Sequence, residues 1–436
     1  MLALRYQSER RTRTITIALN RSPTGADLVR VSIVECKRSL IYWWGDDDLK
    51  KFEDDVVISG IGQSAIGRSL GRSPLSLTVD AITSAVADAG LTLDDVTGLA
   101  AYPGGGSSIG AAFAGPSLAD VYDALGLRLD YLMGNYEGPA QLGPVLNASL
   151  AISGGLARHV VVYRTVTEGS ARQAARAAGR RPPAGPSPWI TAFGDGPGPV
   201  GYALLARRHF REFGTTREQL AQISLTARKH AQLNPVAVMQ GPLSMADYLS
   251  ARMISDPLSL YDCDVHCDGA TAVVLSAADY AADAPRPPVR VEAFGLAPPV
   301  RSQYAQHVDL QPGLRAAGQL WNRTELRPAE VDVAALYDGF SILTMLWLEA
   351  LGFCPAGQSG AFVEGGKRIG LGGELPLNTQ GGQLSGGRLH GLGFVHEACL
   401  QLRGQAGARQ VGSARVAVVA VGALPYVGCL LLRAGA

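Results

Sequence analysis

The stretch Ala270-Thr271-Ala272-Val273-Val274-Leu275 limits the possible folds more than any other. It is an apolar run without a polar face. Such a run suits a strand covered on both faces, so the sheet that holds it must lie between other layers. Asp268-Gly269, just before it, is a turn signal.

Other segments supply those layers. Strands are predicted at Val56–Gly62, Gly98–Tyr102 and Val160–Tyr163, with helices at about Ser76–Ala89, Gly143–Ser153 and Thr216–Asn234. In the first of these helices Val79, Ile82 and Val86 share a face. Past Pro285, Pro287 and Pro288 the alternation resumes. Strands are expected at Val289–Phe294, Val333–Leu336, Ala414–Val421 and Cys429–Leu432. Helices are expected at Pro312–Leu320, Leu343–Leu351 and Gly393–Arg403. Strands alternating with helices predict α/β layers built on mainly parallel sheets. At 436 residues, 47% of them hydrophobic and 18% charged, the chain suits two compact halves with much buried surface. The halves are placed at 55–284 and 288–436. Residues 170–200, rich in Arg, Ala, Pro and Gly, read as an excursion or lid, part of a loop region at about 165–255.

Composition also excludes some classes. A net charge of +1 gives no footprint for nucleic acid. No apolar run reaches the roughly 20 residues of a membrane span. The six cysteines, at 36, 263, 267, 354, 399 and 429, show no disulfide framework and favour a reducing cytoplasm. Cys263, His266 and Cys267 lack a second cluster at ligand spacing, so no metal is expected. Pro103 precedes Gly104-Gly105-Gly106 and no Gly-Lys-Ser/Thr comes after it, so a phosphate loop is not expected either. The N-terminus has no apolar core of a signal peptide. Residues 1–54 fit poorly with the pattern of the remaining chain. They are read as an extension packed on the body or, preferably, as a start codon set too early.

Several strings carry a family resemblance. They are Phe193-Gly194-Asp195-Gly196, Tyr202 to Arg208, Gly214 to Leu220, Pro242-Leu243-Ser244 and Met253 to Leu258. Over residues 56–436 the chain resembles the thiolase superfamily, nearest the sterol-carrier-type thiolases and the steroid side-chain-cleaving aldolases. The resemblance implies the thiolase fold: two similar α/β halves in five αβαβα layers, with a lid from the first.

Thiolases attack with a cysteine at the start of a buried helix, where the dipole lowers its pKa. The corresponding position here is Gly138, give or take one residue, and no cysteine occurs between 37 and 262. Glu137 is a substitute base or a helix-end carboxylate. At the second station, Tyr337-Asp338-Gly339-Phe340, thiolases carry Asn-Glu-Ala-Phe. The steroid aldolases resemble this chain in having tyrosine there, proposed to move a proton. An ordinary tyrosine titrates near ~10. As a base it needs a neighbouring cation. The third station, Asn378 to Gly391, resembles the loop with the thiolase Gly-His-Pro. Arg388 takes the histidine position, where the steroid aldolases usually have a second tyrosine. Arg388 stays protonated, so it is expected to hold an oxyanion, tune Tyr337 or bind a phosphate of coenzyme A. Gly381, Gly382 and Gly387 let the backbone approach a ligand, and His390 is a candidate contact. The second thiolase cysteine falls on Gly422.

The catalytic candidates are therefore Tyr337, Arg388 and Glu137. The candidates for substrate or coenzyme A are Gly138, Asp338, Gly381, Gly382, Gly387 and His390. The resemblance implies a carbon–carbon lyase acting on β-hydroxyacyl-CoA, with a steroid side chain as one substrate class. No bound cofactor is expected, with the CoA thioester as substrate. It also implies a homodimer and a small OB-fold, zinc-ribbon partner. Two alternatives stay open: a non-catalytic acyl-CoA carrier or inactive subunit and, as the weakest, an acyltransferase.

Overall fold

The computed structural model describes residues 4–9, 12–19, 27–33, 35–36, 39–40, 51–103, 111–134, 140–172, 198–297, 311–422 and 427–435. The chain forms two compact units, Met1–Lys51 and Phe52–Ala436. In the first, Leu4–Glu9, Thr12–Leu19 and Asp27–Ile33 make an antiparallel three-stranded sheet, and Glu35–Cys36 pairs with Ser39–Leu40. Glu137, Gly138, the Gly104–Gly106 loop and most of the expected lid lie outside the described residues.

The second unit is organised by a nine-stranded sheet. From one edge to the other run Val333–Leu336, Val416–Val421, Val427–Ala434, Val289–Ala297, Val56–Gln63, Asp268–Ala277, His159–Thr167, Gly98–Ala101 and Tyr131–Gly134. The apolar run at 270–275 sits near the middle and is buried throughout. The expected turn at Asp268-Gly269 is already strand. Asp268 can be buried there because its carboxylate accepts the backbone N–H of Leu70 at 2.7 Å and of Ser170 at 3.0 Å.

The strand order repeats. In the first part, the opening strand Val56–Gln63 lies antiparallel to the closing strand Asp268–Ala277. That strand lies antiparallel to His159–Thr167, and Gly98–Ala101 and Tyr131–Gly134 come next in parallel. In the second part, Val289–Ala297, Val427–Ala434, Val416–Val421 and Val333–Leu336 take the same places with the same senses. A single parallel bridge, Ala334 to Leu377, stands where a fifth strand would lie. Val289 and Arg290 pair with Ile58 and Val57 and join the two parts. Most of these pairings are antiparallel, so the expectation of mainly parallel sheets is corrected. Each closing strand threads back into the middle of its own part, and hydrophobic periodicity carries no information about strand direction.

Helices complete the layers. Pro74–Asp88 covers the first part from outside, and Gln311–Trp321 covers the second. Gly391–Leu402 packs on Val333–Leu336, Val416–Val421 and Asp268–Ala277, so it is sandwiched between the two sheet parts. Gly143–Ser153 packs on the first part beside it. Capping explains where the helices begin. Thr216 closes a capping box with Gln219, so the helix predicted from Thr216 starts at Arg217. In Pro74–Asp88 the buried face is Leu77, Ala81, Ile82 and Ala85, and Val79 is only partly buried.

Candidate active site

Two motifs meet at the end of Val333–Leu336. Asn378, at φ 48°, folds its side chain back onto that strand. Its Oδ1 accepts the N–H of Leu336 at 2.7 Å, and its Nδ2 donates to the Leu336 carbonyl at 2.8 Å. Asp338 is fully buried and accepts the N–H of Gln383 at 2.8 Å and, more weakly, of Leu384 at 3.5 Å. Burial nevertheless lifts its carboxyl to about 7, against the pull of those N–H groups. Expected as a ligand contact, Asp338 instead fastens the glycine loop. Gly382 has φ +57°, and a Cβ there would stand 1.9 Å from an Asp338 oxygen. Gly382→Ala is expected to cost about 3 kcal/mol or more. A thermal melt within a degree or two of the parent protein would contradict this.

Tyr337 is 5% exposed and lies edge-on to Phe394, with ring centroids 6.3 Å apart. Burial raises its hydroxyl well above the ordinary tyrosine value, and the nearby Arg388 charge only partly opposes this. The cation that a tyrosine base requires is present, yet desolvation wins and Tyr337 remains a phenol at neutral pH.

Arg388 joins several elements. Its Nε lies 3.2 Å from Asp264 and 3.5 Å from Glu168, and its Nη1 lies 3.2 Å from His266 Nε2. Arg172 Nη1 approaches the other ring nitrogen of His266 at 2.9 Å. A neutral imidazole accepts at one nitrogen only, so His266 serves one arginine at a time. Burial works against the Arg388 charge, but Asp264 and Glu168 more than compensate and raise its pKa further. Burial pushes Asp264 up to about 6, with Arg388 opposing. Burial would also raise Glu168, but His390 and Arg388 outweigh it and hold that carboxyl at about 2.

His390 is 2% exposed, at φ 62°, where the loop enters Gly391–Leu402. Its Nδ1 lies 3.3 Å from Gln141 Nε2, its ring meets Phe113 edge-on at 5.1 Å, and its Nε2 is 3.7 Å from Glu168. Burial, then the Arg164 charge, lowers it to about 3, so it is neutral. Gly387, at φ +122°, passes over Cys267, which a Cβ would meet at 3.1 Å. Gly381, at φ +100°, backs onto Ala231. These two glycines serve the loop's path past other protein groups.

The family described as thiolase C-terminal domain-like matches residues 301–424. A steroid side-chain-cleaving aldolase of Thermomonospora curvata is 33% identical over 86% of this chain and 97% of its own length. A 17-hydroxy-3-oxo-4-pregnene-20-carboxyl-CoA lyase of Mycobacterium tuberculosis is 34% identical over 86% and 98%. Among solved structures, the Ltp2-ChsH2(DUF35) aldolase superposes with a TM-score of 0.76 at 30% identity, covering 87% of this chain and 98% of that one. This chain belongs to the thiolase superfamily, alongside its steroid side-chain-cleaving aldolases. An acetyl-CoA acetyltransferase of Syntrophomonas wolfei, at TM-score 0.60 and 16% identity, shares the thiolase fold.

Within this thiolase-superfamily chain, the structure gathers Tyr337, Arg388 and His390 around one charged cluster. Asp338 holds the glycine loop at Gln383, with Gly382 packed against it. Sequence reasoning misses Glu168, Asp264 and Arg164. Glu168 comes directly after His159–Thr167, and Asp264 precedes Asp268–Ala277; these strands pair with Thr167 opposite Asp268. That pairing brings the two carboxylates to one sheet end across a separation of 96 residues. His266, which its spacing groups with Cys263 and Cys267, faces arginines instead. Among the described residues no cluster of three or more His, Cys, Asp or Glu could hold a metal ion. Cys267 and Cys429 are buried, and burial raises both thiols far above the range of a reactive thiolate.

Proposed function

We propose that this chain is a carbon–carbon lyase that cleaves a β-hydroxyacyl-CoA thioester by a retro-aldol reaction. A steroid side chain is the substrate class favoured by the names of its relatives. One observation carries the reading: the buried Tyr337 and the carboxylates of Asp264 and Glu168 gather about Arg388, while the sequence has glycine, Gly138 and Gly422, at the two thiolase cysteine positions. In the reaction the β-hydroxyl loses its proton, the Cα–Cβ electron pair moves into the thioester as an enolate, and a ketone or aldehyde leaves. The enolate then takes a proton at Cα.

Roles are set by protonation. Tyr337 holds its proton and suits the donor that protonates the enolate. Asp264 suits the base, because burial makes its carboxylate more proton-hungry than an exposed one while Arg388 keeps it ionised. Arg388 is already flanked by two carboxylates, so it positions Asp264 and Glu168. Residues 55–284 and 288–436 would form the two halves that bracket this site. The name Ltp2-ChsH2(DUF35) aldolase joins two components. A small acyl-CoA-binding partner with an OB-fold and zinc ribbon, and a homodimer, are accordingly proposed here.

The test is an assay of the purified protein, with any such partner encoded beside it, on β-hydroxyacyl-CoA thioesters that include a steroid. Release of ketone supports the lyase. Only ionised Asp264 accepts a proton, so kcat/KM should rise with pH through about 6 and then level. Tight acyl-CoA binding without cleavage of any thioester would leave a carrier as the reading.

A further inference from the structure

Arg164 is 1% exposed, in the middle of His159–Thr167. An arginine inside a strand buried along its whole length is costly unless its charge is met. Its Nη1 is well used. It donates to the carbonyls of Tyr102 and Thr165 at 3.2 Å each, and to that of Phe113. Its Nε and Nη2 are buried and find no hydrogen-bond acceptor among the described residues. Among the described residues no carboxylate pairs with it. Its guanidinium lies 4.5 Å from the centre of the Phe113 ring and 5.4 Å from that of Tyr102. Burial lowers its pKa to about 10, which still leaves it charged at neutral pH.

Its place in the strand gives this charge a direction. Side chains alternate along a strand, so Arg164 shares a face with Val166. Val166 packs against Leu389 of the glycine loop and against Cys267. Phe113 contacts both Arg164 and His390, whose own Nε2 is also buried and lies 3.7 Å from Glu168, with no hydrogen-bond partner within reach among the described residues. The Arg164 charge acts on Tyr337, Glu168 and Arg388 as well. The cluster thus contains two arginines of different standing. Arg388 is met by two carboxylates, and Arg164 pairs with none among the described residues.

We infer that Arg164 is the anion receptor of this site, with its free Nε–H and Nη2–H donating to the thioester oxygen as it becomes an enolate. This rests on the lyase reading above and assigns the charge-stabilising role to a residue outside the thiolase motifs. A fixed donor pair in a water-poor setting stabilises developing charge without having to reorganise. Such donors typically contribute about 10²- to 10³-fold in rate.

The first test uses the unaltered protein and two CoA thioethers of equal size. Carboxymethyl-CoA carries a planar anion like the enolate, and carbamoylmethyl-CoA is its neutral counterpart. Calorimetry should show the anion binding at least about 10-fold tighter, a preference that survives Arg388→Met and disappears in Arg164→Met. Equal affinities in the unaltered protein, or a preference that persists in Arg164→Met, would overturn the assignment. Arg164→Met can fail to fold; equal affinities in the unaltered protein, or loss of the preference in Arg388→Met, then overturn the assignment without it. The second test tracks exchange of the Cα protons of propionyl-CoA with deuterium by NMR. Exchange should fall about 10²-fold in Arg164→Lys, with propionyl-CoA affinity held within a few fold. Unchanged exchange in that variant overturns the inference and leaves the lyase standing. Anion preference without cleavage or exchange in the unaltered protein retains the receptor and removes the lyase. Failure to bind any CoA compound removes both.

Discussion

Tyr337→Phe should lower kcat for thioester cleavage by about 10³-fold, within the usual range for a positioned proton donor. The ring that packs on Phe394 is kept, and only the hydroxyl is lost. Substrate affinity and thermal stability should therefore stay close to those of the parent. The physical basis is the balance found at this tyrosine: burial outweighs Arg388 and leaves the proton on oxygen. The loss should appear on the plateau of the pH profile as well as on its acid limb. A variant that retains more than about a tenth of the parent kcat would remove Tyr337 from the proton path.

Arg388→Met should reduce both stability and activity. It leaves Asp264 and Glu168, 10% and 15% exposed, without the cation between them. Breaking a buried pair by removing one partner costs roughly 3–5 kcal/mol. The low end applies, because the Arg388 side chain is 22% exposed and water screens part of the loss. The sign with pH is specific. Arg388 holds Asp264 down, so its removal raises the Asp264 pKa above about 6. The acid limb of kcat/KM should then move to higher pH. Urea unfolding gives the first quantity and a pH–rate profile the second. An unchanged midpoint with an unchanged limb would mean that Arg388 is only loosely held. Arg388→Tyr, which introduces the residue that the family resemblance implies at this position, should show the same stability loss, because a phenol brings no charge.

The sequence discloses some of this and conceals the rest for identifiable reasons. Tyr337, Arg388 and His390 lie in short motifs whose local pattern is recognisable. Helix Gly143–Ser153 and strand Val333–Leu336 agree with the ends expected from periodicity and from glycine and proline punctuation. Glu168 and Asp264 become neighbours only through the lateral order of strands, for which a single chain carries no local signal. Arg164 does leave a trace: a charged residue directly after Val160-Val161-Val162-Tyr163. The predicted strand stops at that charge, whereas the observed strand runs on to Thr167. A buried arginine reads as a strand end when only polarity is weighed. Asp338 reads as a ligand contact because it stands beside Tyr337, but its carboxylate is committed to backbone N–H groups.

The anchoring of Asn378 and Asp338 has an evolutionary consequence. Leu336 is tied to Asn378, and Asp338 to Gln383, by side chains that do not include residue 388. Position 388 is thus an exchangeable socket on a fixed frame. Histidine, tyrosine and arginine can succeed one another there without redrawing the loop, provided the carboxylates around it change in step. Descendants of this scaffold can change their chemistry by changing what fills the socket.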